Sequence, residues 1–155
     1  MKKLAIIIVA LVTAGEAQAA DFAGLKLGMP ATEAWRLLSE GGLGTPKRAP
    51  VSGHGNLPGS ELYWVGNYNA TICRGRVVGL NHTLESTFRA WTREVRVASA
   101  ERGPGKYTTA SVEGVDHVSS VKVAWTLPNG DIYDIGYFEL KDQPITAEGT
   151  SRSCA

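Results

Sequence analysis

Few side chains in this chain are spaced in a way that would support catalysis. Ser52 and His54 lie in Val51-Ser52-Gly53-His54-Gly55, which lacks the Gly-x-Ser-x-Gly spacing of a nucleophile elbow and reads as loop composition. Gly103-Pro104-Gly105-Lys106 has the residue types of a phosphate loop without its spacing or its following Ser or Thr, so it reads as a helix terminator. His54, His82 and His117 form no i, i+4 pair. Even with Glu113 and Asp116 beside them they predict no metal site, and no cofactor is expected. Asp131, Asp134 and Glu139 share one extended stretch. They could supply two carboxylates for glycoside cleavage, or simply the acidic edge of a half-buried strand. No catalytic residue is predicted.

Recognition has better candidates. Arg89, Arg93 and Arg96, spaced four and three, share one helical face that could hold an acidic partner or an anionic glycan. The same face could instead be solvated, with Glu85 pairing to Arg89 four residues on. Tyr63, Trp64 and Tyr68 form an aromatic cluster beside the Gly- and Pro-rich stretch 43–60. Tyr63 and Trp64 alternate, so they point to opposite sheet faces and one should be outside. Asn69-Ala70-Thr71 and Asn81-His82-Thr83 match the glycosylation sequon, which the bacterial character of the amino-terminal segment makes coincidental.

These residues need elements to position them. Ala31, Ala34, Trp35 and Leu38 mark a helix over about 31–40, opened by Pro30 and stopped by Gly41-Gly42. Residues 43–60 predict a long irregular loop. Glu61 to Val65 and an extended stretch within Thr71 to Leu80, around Val77-Val78, read as strands of a hairpin, with Asn67 and Asn69 in the turn. Leu84, Phe88, Trp91, Val95 and Ala98 form the stripe of a second helix with Thr83 as N-cap. Trp35, Phe88, Trp91 and Trp125 fit the core by periodicity. Val121, Val123, Trp125 and Leu127 alternate as a strand, Pro128-Asn129-Gly130-Asp131 turns, and Ile132 to Leu140 returns. A shorter strand fits between Tyr107 and Val112. No internal repeat shows in the sequence. The expected class is α+β, with two helices packed on one face of an antiparallel sheet of four to five strands.

The amino terminus predicts an address. Met1-Lys2-Lys3, an apolar run from Leu4 to Val12, and Ala17-Gln18-Ala19 read as a secretory signal cleaved after Ala19. The run is too short for an anchoring helix, and no cysteine near the cut could take a lipid. Removing residues 1–19 takes Lys2, Lys3 and Glu16 from the 16 basic and 15 acidic groups of the chain, leaving 14 of each. Such a balance argues against a nucleic-acid or membrane-surface partner. In the periplasm or medium Cys73 and Cys154 are expected to form one structural disulfide. The organisation predicted is signal peptide 1–19, one domain over 20–141, and a tail over 142–155 pinned by that bridge.

Phe22-Ala23-Gly24-Leu25-Lys26-Leu27-Gly28-Met29, followed by Pro30-Ala31-Thr32-Glu33-Ala34, resembles the opening of small exported bacterial proteins. These include the outer-membrane lipoproteins of the barrel-assembly machinery and the β-lactamase-inhibitor-like proteins. The resemblance implies that a Gly-Met turn enters the first helix and that this helix packs on an antiparallel sheet. It raises the expectation of a binding module over an enzyme. This chain lacks the lipidated cysteine of the lipoproteins, and the opening occurs once where the β-lactamase inhibitors have two helix-and-sheet units. The function expected is a non-enzymatic exported protein that docks to or masks another envelope or secreted protein, with inhibitors and immunity proteins as specific forms. The alternative is a small envelope hydrolase or ligand carrier. A deep pocket joining two carboxylates, or a histidine and an acid, would favour that alternative, and a pocket-free sheet face would favour the binding module.

Overall fold

The structure is a computed structural model, and it describes residues 22–51, 60–112, 118–140 and 143–154. The predicted signal segment, Ser52 and His54, and Glu113, Asp116 and His117 lie outside the described residues.

The chain enters through the Gly28-Met29 segment, which pairs with the strand it meets later. Gly28 N–H donates to Val77 O at 2.7 Å, and Val77 N–H donates to Met29 O at 2.9 Å. Pro30 then caps helix α1, Ala31–Glu40, whose Ala34 and Leu38 are buried. Strands β1 (Lys47–Pro50), β2 (Glu61–Val65), β3 (Tyr68–Cys73) and β4 (Arg76–Thr83) follow as an antiparallel meander. Helix α2, Phe88–Arg102, opens a second series: β5 (Lys106–Val112), β6 (Val118–Thr126), β7 (Ile132–Leu140) and β8 (Gln143–Ser151).

All eight strands form one antiparallel sheet in the order β1-β2-β3-β4-β8-β7-β6-β5. The strand count corrects the four to five expected from sequence. Residues 47–50, read as loop, pair with β2. Arg74 and Gly75 both adopt left-handed backbone, at φ 50° and 73°, and make a tight turn where one extended stretch was expected. Residues 143–151, read as a tail, form β8 between β4 and β7.

The order also corrects the absence of a repeat. The chain is a helix and a four-strand meander, twice. The halves lie side by side as a two-fold axis through the sheet, between β4 and β8, would place them. The sequence hides this because the two helices differ in length, 10 residues against 15, and the equivalent turns differ too.

Strand registers put the residues packed under α1 and α2 on the same face of the sheet. That face holds two clusters. Leu38, Tyr63, Val65, Ala70, Ile72, Val77 and Leu80 belong to the first, and Trp91, Val95, Val123, Trp125, Tyr133 and Ile135 to the second. Between them runs β8, whose residues in register with this face are Thr146, Glu148 and Thr150. A central strand with polar residues on its core face carries no hydrophobic signature, so periodicity could not reveal it.

β8 also moves the start of α2. Thr83 pairs with Ala147 and Leu84 N–H donates to Thr146 O at 2.8 Å, so the strand continues past the expected helix cap. Thr87 caps instead, its hydroxyl accepting from Ala90 N–H at 3.0 Å. Phe88 is consequently the first helical residue and is 56% exposed, a correction to its place in the predicted core.

Candidate functional site

Among the described residues nothing covers the face opposite the helices, and registers name its residues. The second strand contributes Leu62 and Trp64, β3 Asn69 and Thr71, and β4 Asn81. On the other half, β7 contributes Asp134 and Phe138, and β6 Lys122. A polar row crosses the sheet through Asn69, Asn81, Gly149 and Asp134, which pair in sequence from β3 to β7. Asn81 Nδ2 donates to Asn69 Oδ1 at 3.1 Å, and Lys122 Nζ donates to Asp134 Oδ2 at 3.4 Å. Two glycines let these side chains lie down. A Cβ at Gly149 would stand 2.6 Å from Asn81 Oδ1, and one at Gly136 would stand 2.6 Å from the Phe138 ring. The result is a low surface with two apolar patches, Leu62 with Trp64 and Phe138, either side of a hydrogen-bonded centre. Beside Trp64 a shallow hollow of about 260 Å³ is lined by Leu62, Asn69 and Thr83.

The aromatic cluster predicted from sequence is divided by the sheet. Trp64 is half-buried on the open face. Tyr63 is 5% exposed in the core, with Trp35 edge-on at 5.2 Å, and burial together with Glu61 raises its phenol above the ordinary range. Tyr68 lies on the helix side, stacked on His82 at 4.3 Å. Arg89, Arg93 and Arg96 are exposed on α2. Arg93 pairs with Glu94 at 2.8 Å and reaches Glu85 at 3.9 Å. Because Glu85 precedes the helix, the four-residue pairing with Arg89 does not set its partner.

The carboxylates do not converge. Asp134 is on the open face, Glu139 on the other, and Asp131 is buried against Arg152 at 2.8 Å. Gly103 ends α2, its N–H donating to Ser99 O and its carbonyl accepting from Trp125 Nε1 at 2.8 Å. Among the described residues there is no group of three or more metal-ligating side chains. Cys73 and Cys154 are disulfide-bonded, with Cα atoms 6.1 Å apart, and join the end of β3 to the segment after β8. Among the described residues no helix is long and apolar enough to cross a membrane.

On the helix side, the polar seam carried by β8 contains a network that sequence reasoning missed. His82 Nδ1 lies 3.1 Å from Glu148 Oε1, and Tyr133 O–H donates to Glu148 Oε2 at 3.1 Å. Burial first, and the Glu148 carboxylate second, push the Tyr133 phenol well above its ordinary range. The set brings a histidine to an acid, and its members bond to one another. It acts as a hydrogen-bonded filling for the gap between the two cores. Its members come from three strands, and only knowledge of β8 would have brought them together.

Scans of the chain against protein-family models, curated proteins and solved structures return no match.

Proposed function

We propose that this is a non-enzymatic binding protein, exported to the periplasm or medium, which docks another envelope or secreted protein on the open face of its sheet. One observation carries the reading: both helices cover the same side, so among the described residues nothing covers the eight strands on the other. Strands about 4.8 Å apart make that face about 34 Å across, enough for the roughly 800 Å² that one partner contributes to a stable interface. Its residues suit recognition. Trp64 is an aromatic anchor, and the Asn and Asp row can exchange hydrogen bonds with a partner's loop. Three lysines, Lys47, Lys106 and Lys122, share this face with Asp134 as its one acidic group among the described residues, so an acidic partner surface fits best.

Two further observations support the reading. The amino-terminal opening resembles that of β-lactamase-inhibitor-like proteins, which raises the expectation of a binding module. A disulfide suits an oxidising compartment, in keeping with the signal-like segment. An inhibitor or immunity protein is the specific form that best fits these features.

Capture from a native envelope extract by the immobilised, disulfide-bonded protein tests the reading. A specific partner is expected to be retained by the parent and by Arg93→Ala, and lost from Trp64→Ala and Lys122→Glu. Undiminished capture by both open-face variants would remove the interface from this face.

A further inference from the structure

The seam between the two cores also holds a cavity of about 230 Å³, on the opposite side of the sheet from the docking face. Phe22, Leu25, Leu27, Leu80 and Leu127 give it an apolar body. Its polar groups gather from the ends of three elements. Arg102 closes α2, Asp131 and Asn129 belong to the turn before β7, and Arg152 follows β8.

Charge in the lining is unbalanced. Arg152 Nη2 donates to Asp131 Oδ2 at 2.8 Å, and Asn129 Nδ2 donates to the same oxygen at 2.9 Å, so this carboxylate is neutralised and held. Arg102 is the remaining cation. Its guanidinium lies over the Tyr133 ring at 4.7 Å, and Nη1 pairs with Glu101, a side chain more than half exposed. Its Nε–H is buried and has no acceptor among the described residues. A largely buried guanidinium left short of acceptors is costly, and a carboxylate in the cavity would balance its charge.

We propose that this cavity binds a small monocarboxylate with a hydrocarbon body, its carboxylate accepting from Arg102 and its apolar part lying among the leucines and Phe22. Size sets the class. A dry cavity of about 150 Å³ is known to take up benzene, so 230 Å³ suits one ring or a chain of about six carbons with its carboxylate. The apolar walls select against hydrophilic acids, and the two guanidiniums select against amines.

Phenylacetate and hexanoate are the probes, titrated calorimetrically into the disulfide-bonded protein at low salt, with phenylacetamide as the uncharged counterpart. Saturable binding of both acids is expected. Affinity should fall about tenfold or more for phenylacetamide, and by a similar factor for phenylacetate in Arg102→Gln, which keeps the shape and loses the charge. Equal binding of phenylacetate and phenylacetamide to the parent would overturn the proposal even if Arg102→Gln failed to fold. So would a lack of saturation by either acid at millimolar concentration. Trp64→Ala should bind phenylacetate as the parent does, which separates this site from the docking face.

Discussion

The two halves of the molecule share a plan but orient their hairpin tryptophans differently. Trp64 is the penultimate residue of β2 and Trp125 the penultimate residue of β6, the second strand of each meander. In the amino-terminal half two residues, Gly66 and Asn67, turn the chain, and Trp64 stays on the open face. In the carboxyl-terminal half a longer turn from Leu127 to Asp131 shifts the pairing, and Trp125 points to the helices. There it is 5% exposed and donates to Gly103 O. A change in turn length is enough to move a side chain from one face to the other, because strand side chains alternate with period two. One tryptophan therefore serves stability, and the other is available for recognition.

The disulfide gives the largest expected effect, because it ties the first half to the end of the second. Its residues are 81 apart in sequence, and closing such a loop is worth about 4.5 kcal/mol by chain entropy. Reduction should lower the urea midpoint by a corresponding amount. An unchanged midpoint would mean that the halves are held together by the sheet alone.

The tryptophans come next. Trp125→Ala should cost about 3–5 kcal/mol, as burial and a cavity demand, while Trp64→Ala should cost about 1 kcal/mol. Urea unfolding of the two variants measures the gap directly. Equal losses would erase the distinction between the halves.

The smallest effect concerns the seam. With the Tyr133 phenol raised in the folded protein, the unfolded chain releases that proton first as pH climbs past 10. This contribution to stability is therefore complete below pH 10 and is lost progressively above it. Tyr133→Phe should flatten that part of the decline and cost about 1 kcal/mol at neutral pH for the bond to Glu148. An identical alkaline slope in the variant would contradict the seam's role.

Both helices were legible in sequence because their stripes are apolar, as was the hairpin around Asn129-Gly130. Three of the eight strands were not. β1 is four residues ending in proline, β4 breaks from β3 at an Arg-Gly turn that looks like ordinary surface, and β8 faces the core with Thr146, Glu148 and Thr150. The repeated plan has a small counterpart in sequence, an Ala-Trp pair in each helix with the alanine buried, Ala34-Trp35 and Ala90-Trp91. Of the site, alternation could place Tyr63 and Trp64 on opposite faces. It could not say which was outside, since that depends on where the helices pack. The row of Asn69, Asn81 and Asp134 belongs to three strands whose order no local pattern encodes.

Four indole N–H groups, at Trp35, Trp64, Trp91 and Trp125, report on the whole molecule, and one of them lies on the open face. The most direct test labels tryptophan with ¹⁵N and follows these four signals as a captured partner is added. Docking on the open sheet predicts a large shift or broadening at Trp64, with Trp91 and Trp125 unmoved. Perturbation of Trp35 or Trp91 while Trp64 stays constant would place the partner on the helices and contradict the account.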